Sequence, residues 1–154
     1  MIHRTKQRMA LCIVMLALLL IFIWGNSLLP ASASTVLSRW LRSLLGVTVH
    51  GSASAGEGLL RKLAHFTEFA LLGMCLGWLF AMLRNKHIQI VALAMSCGII
   101  TACVDETLQR LSAGRNPSLI DVGIDTAGAA VGVTLLFIGY TIIKNKIKFW
   151  RKTK

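Results

Sequence analysis

The chain has 154 residues, of which 55% are hydrophobic and 15% charged, and its 17 Lys and Arg outnumber 6 Asp and Glu for a formal charge of +11. A mean hydropathy of +0.68 excludes an ordinary water-soluble domain and points to an all-α, polytopic membrane protein. Excess base also suits a nucleic-acid partner, but here the bases sit between and beyond long uncharged runs without interleaved exposed aromatics, so no nucleic acid is expected.

A helix of about 20 apolar residues crosses a bilayer because it satisfies its own backbone polar groups. Four segments meet that requirement, and together they make a single membrane domain over 1–154. The first, 9–29, is uncharged. Arg4, Lys6 and Arg8 before it and Pro30-Ala31-Ser32-Ala33 after it also fit a cleaved signal peptide, but the run is long enough to span. Residues 35–45 place Val36, Leu37, Trp40, Leu41, Leu44 and Leu45 on one face, opposite Ser38, Arg39, Arg42 and Ser43. This pattern predicts a short interfacial amphipathic helix with Ser34 as its N-cap. Residues 51–56 read as a flexible linker. The second span covers 63–83, the third 88–109 and the fourth 122–143. Cys12, Cys75, Cys97 and Cys103 lie in apolar runs without CxxC spacing and read as packing residues.

Eleven of the Lys and Arg flank the spans on the side of the termini and of the loop at 84–87, against six on the other side. The positive-inside rule then places both termini in the cytoplasm. Arg61, Lys62, Arg84, Lys86, Arg110 and the basic tail read as topological and anionic-lipid charges. Glu57 falls in the outer linker. The other five acids, Glu68, Asp105, Glu106, Asp121 and Asp125, gather with His65 at the outer ends of spans two to four.

Carboxylates are expensive in a bilayer, so their concentration at one depth predicts a polar site. His65 and Glu68 are three residues apart and share a helix face, continued by Leu72. Asp105 and Glu106 are spaced to meet near Gln109. Asp121 and Asp125 head the fourth span, and Gly128 and Gly132 extend their stripe as a surface for close helix packing. Gly114-Arg115-Asn116-Pro117 makes a turn and poises Arg115 to hold a carboxylate or an incoming phosphate. No HExxH, GxSxG, Walker A or EF-hand pattern is present. The residue types leave acid–base catalysis, a proton relay and divalent-cation binding open. They equally allow a structural ion network between Arg115 and the acids.

Several of these segments carry a resemblance. Arg61-Lys62-Leu63-Ala64-His65-Phe66-Thr67-Glu68-Phe69-Ala70-Leu71-Leu72-Gly73, then Asp105-Glu106-Thr107-Leu108-Gln109, Gly114-Arg115, Asp121-Val122 and Asp125 to Gly132, resemble the VanZ-like family. Trp24-Gly25-Asn26-Ser27 is similar to a weaker N-terminal signature of that family. The resemblance carries the family's polar positions onto His65, Glu68, Asp105, Glu106, Gln109, Arg115, Asp121 and Asp125. Many members have His where this chain has Leu108, and others have Asn where it has Asp125. The family's name implies a part in resistance to the glycopeptide teicoplanin.

Three readings compete. In the first, the outer polar site binds or acts on a membrane lipid or lipid-linked envelope substrate. In the second, the chain is a non-catalytic scaffold and the cluster locks its helices. In the third, it is a small transporter or flippase subunit with Asp121 and Asp125 as a proton or cation site.

Overall fold

The computed structural model describes residues 2–33, 36, 40, 43, 53–84, 86–115 and 118–152. Its elements are α1 (Ile2–Ser27), α2 (Ala53–Leu83), α3 (His87–Gln109) and α4 (Leu119–Lys152). All four contain a stretch long and apolar enough to cross a membrane: Thr5–Ser27, Gly58–Leu83, His87–Gln109 and Leu119–Asn145. The protein is therefore all-α with four candidate spans, each covering most or all of an expected one. Apart from Val36, Trp40 and Ser43, which are helical and exposed, the expected interfacial helix at 35–45 lies outside the described residues. Ser34 lies outside them as well.

The linker expected at 51–56 is corrected in part, because α2 already begins at Ala53. Ala53 and Ala55 are strong helix formers, and a Gly costs a helix only about 1 kcal/mol relative to Ala. Propagation from the apolar run behind them outweighs that cost.

Consecutive helices run antiparallel. The C-terminal ends of α1 and α3 meet the N-terminal ends of α2 and α4, as the bond from Ser27 to Asp105 and that from Asn26 to Glu68 require. At the other end the rings of His87 and Phe137 lie edge to face at 5.2 Å.

The outer surface is apolar. Leu18 is 62% exposed, Ile21 68% and Ile100 63%, a distribution that suits hydrocarbon and would aggregate in water. The interior core is correspondingly thin, built around Leu16, Ile23, Phe69, Leu72, Leu76 and Val133.

Without a hydrophobic driving force between helices in lipid, close backbone packing must supply the adhesion. The most extensive contact, between α2 and α4, does so with the expected small residues. A Cβ on Gly128 would strike the Phe66 carbonyl, one on Gly132 the Ala70 carbonyl, and one on Gly73 the Ala129 carbonyl. Ala129 itself is fully buried. This seam sets α2 and α4 side by side and brings their polar head residues together.

The cysteines are all free. Cys12 packs in the core with its thiol donating to the Cys75 carbonyl at 3.5 Å. Cys103 is exposed and lines an apolar groove with Ile99, Ile100 and Val104.

Candidate functional site

Asp105 is the centre of the polar end. It is fully buried, and both carboxylate oxygens are held. The Ser27 hydroxyl donates to Oδ1 at 2.6 Å, and the Gln109 amide, one turn along α3, donates to Oδ2 at 2.9 Å. His65 presents Nδ1 from α2 at 3.7 Å from the same Oδ2, beyond the length of a direct hydrogen bond.

Glu106, the next residue, points elsewhere. Its Oε2 accepts the Ser118 backbone N–H at 2.9 Å, so the expected meeting of both carboxylates at Gln109 holds for Asp105 alone. Adjacent helix positions diverge by about 100°, and the orphan N–H groups before α4 attract the second carboxylate. Ser118 in turn caps α4, its hydroxyl accepting the Ile120 N–H at 3.1 Å. Asp121, in the first turn of α4, is partly exposed and lies 3.6 Å from the Lys62 ammonium.

Asp125 is 1% exposed, and among the described residues neither of its oxygens has a hydrogen-bond partner. His65, Asp105 and Asp125 each offer a ligand atom, and those atoms lie within 4.8 Å of one another. They are the three residues here most suited to hold a metal ion. His65 and Asp125, though not Asp105, also line a narrow cleft with Arg61, Lys62, Gln109 and Asp121, whose free space is about that of one water or bare ion. Arg61 and Lys62, which read from the sequence as topological charges, thus line the cleft; one helical turn before His65, they are carried to its rim.

Glu68 is 8% exposed and accepts from the Asn26 amide at 3.3 Å through Oε1, while Oε2 has no partner. Arg115, at 7% exposure, enters from the turn between α3 and α4. Its Nη2 donates to the Asn26 carbonyl at 3.0 Å, and Nε and Nη1 have no partner among the described residues. Burial and the nearby Arg61 charge lower its pKa from the ordinary guanidinium value, and Asp105, Glu106 and Glu68 oppose that shift. Arg115 nonetheless remains a cation. Among the described residues it makes no hydrogen bond to a carboxylate, and Asp105, Glu106 and Glu68 act on it through their charge alone.

The turn that carries Arg115 is anchored to the exit of α1. The Ala31 N–H donates to the Ala113 carbonyl at 3.2 Å, and the Ser112 hydroxyl lies 2.8 Å from the Leu29 carbonyl. Gly114 adopts φ +75°, a left-handed conformation that glycine takes without steric cost.

Seven of the eight expected positions, His65, Glu68, Asp105, Glu106, Gln109, Arg115 and Asp125, are buried at this end of the bundle, and Asp121 sits at its rim. Ser27 and Asn26 were not among those expected, although they end the short N-terminal signature. Such an arrangement can orient a carboxylate, exchange a proton with His65, hold a cation between His65 and the acids, and offer Arg115 to an anion.

The family model described as VanZ/LLP1 matches residues 9–142, a range that contains every one of these residues. No curated protein and no solved structure matches the chain.

Proposed function

The chain belongs to the VanZ/LLP1 family, and from that premise we propose that its polar end faces outward in the bacterial cytoplasmic membrane, where it binds or acts on a lipid or lipid-linked envelope substrate and lowers susceptibility to teicoplanin. The orientation rests on the bias of Lys and Arg toward the ends that bear the termini. The single observation that carries the site reading is Arg115, buried with Nε and Nη1 unpartnered among the described residues. A buried donor left unsatisfied costs about 1–3 kcal/mol, and a guanidinium is matched to the oxygens of a phosphate or carboxylate headgroup. In this reading Arg115 holds the anionic group, while Glu68 is the candidate for proton exchange.

The experiment is teicoplanin susceptibility in cells expressing the wild-type chain, Glu106→Gln or Arg115→Ala, with membrane abundance matched by blotting. Protection by wild type and its loss in both stable variants is the expected result. Equal protection by all three would remove the site reading.

A second reading has its own observation. The bonds from Ser27 and Gln109 to Asp105, and from the Ser118 N–H to Glu106, tie the ends of α1, α3 and α4 together, as a non-catalytic scaffold would need. Under that reading, Glu106→Gln and Arg115→Ala lose stability in detergent in proportion to any loss of protection.

A further inference from the structure

We propose that His65, Asp105 and Asp125 form a binding site for one divalent transition-metal cation, with one ligand from each of α2, α3 and α4. This inference does not depend on the lipid reading, since it concerns what the three residues bind before any substrate arrives.

Geometry is the first support. The ligand atoms of the three residues fall within 4.8 Å of one another, and His65 Nδ1 stands 3.7 Å from Asp105 Oδ2. That gap is too long for a hydrogen bond, yet two donors each about 2.0–2.2 Å from a common ion are themselves roughly 3–4 Å apart.

The second support is what lacks a partner. Asp125 is 1% exposed with both oxygens unpartnered, and His65 is 7% exposed with Nδ1 unpartnered. Both line the same cleft, whose free space suits a single small ion. A bare carboxylate in such a position is costly unless paired, protonated or coordinated. Asp105, by contrast, is oriented by two donors, Ser27 and Gln109. This is the usual way a ligating carboxylate is fixed by groups outside the coordination sphere, and its oxygens retain lone pairs for a metal.

Charge is the third. Glu68, Asp105, Glu106, Asp121 and Asp125 gather in one end of the bundle with the cations Arg61, Lys62 and Arg115. The carboxylates repel one another at this short range, and a divalent ion held between Asp105 and Asp125 would offset that repulsion. The mixture of one imidazole with two carboxylates selects Zn²⁺ or Mn²⁺ over Mg²⁺ and Ca²⁺, which prefer oxygen alone.

The test is equilibrium dialysis of the full-length, tag-free protein in detergent against Zn²⁺, Mn²⁺, Mg²⁺ and Ca²⁺, with bound metal quantified. Expected is one Zn²⁺ or Mn²⁺ per chain, with affinity weakened about tenfold or more in Asp125→Asn and in His65→Gln. His87→Gln, which alters an exposed histidine at the far end, should bind as wild type does. Metal-free thermal unfolding of each variant establishes that it is folded, and Asp125→Asn keeps the side-chain shape while removing an unpartnered charge. The proposal is overturned if wild type binds none of the four ions or prefers Mg²⁺ or Ca²⁺. It is equally overturned if binding survives in both cluster variants or is lost in His87→Gln. Because no antibiotic enters the assay, its failure leaves the teicoplanin experiment intact, and the reverse holds too.

Discussion

The α2–α4 pair has two halves that solve opposite problems. Along the seam, Gly73, Gly128 and Gly132 set backbone against backbone so closely that no added carbon fits. One to two turns nearer the helix starts, His65 and Asp125 belong to the same two helices but leave a cleft and polar atoms without partners. The seam gains its adhesion from contact alone. The cleft sacrifices contact and hydrogen bonding in one place, which a structure selected only for stability would have filled. The difference separates a region that holds the molecule together from one held open by it.

The largest effect is expected where the seam is broken. Gly132→Leu drives a side chain into the Ala70 carbonyl, against backbone that cannot rotate away, and should cost on the order of 3 kcal/mol or abolish folding. Thermal unfolding in detergent, together with membrane abundance, measures it. A variant as stable as wild type would show that α2 and α4 are not packed this closely.

A smaller effect is expected where the polar end is satisfied. Ser27→Ala removes the donor to Asp105 Oδ1 and should cost about 1 kcal/mol, near the range measured for interhelical hydrogen bonds in membranes. Asp125→Asn should behave differently. Since its oxygens have no protein partner, replacing the charge should leave unfolding unchanged or raise the midpoint, while ligand binding and protection fall. Equal destabilisation by Ser27→Ala and Asp125→Asn would erase the distinction between held and unheld carboxylates.

The smallest effect belongs to Gly139, where an added Cβ meets nothing within 4 Å. Gly139→Ala should stabilise by up to about 1 kcal/mol through helix propensity alone. The same substitution at Gly132, although equally small in volume, should destabilise. Paired unfolding curves of the two alanine variants isolate the seam from any general preference for alanine in these helices.

The spans were legible because lipid demands long uncharged runs, and those runs survive in the sequence whatever their neighbours do. The seam was legible for a related reason: Gly128 and Gly132 repeat at the spacing of one helix face, next to Asp125. The polar cluster could be anticipated from depth, since His65, Glu68, Asp105 and Asp125 share a level once the helices alternate in direction.

What local patterns do not encode is pairing across the chain. Ser27 and Asp105 are 78 positions apart and Asn26 and Arg115 are 89 apart. A serine closing an apolar run looks like any span boundary. Lys62 and Arg61 carried the charge expected of a membrane border, and only packing reveals that they line the cleft. The separation of Glu106 from Asp105 was equally hidden, because it depends on the free N–H at Ser118, a partner set by where α4 begins.

The anchoring of the α3–α4 turn to the exit of α1 bears on biogenesis. As the chain enters the membrane from its N-terminal side, Asn26 and Ser27 arrive first, and both α2 and α3 must follow before Asp105, Ala113 and Arg115 can reach them. The polar end is thus closed across two intervening spans, and α4 adds Asp125 only after that. A partly inserted chain would leave Glu68 without its Asn26 partner or Asp105 without Ser27, at the cost that an unpaired carboxylate carries in a bilayer.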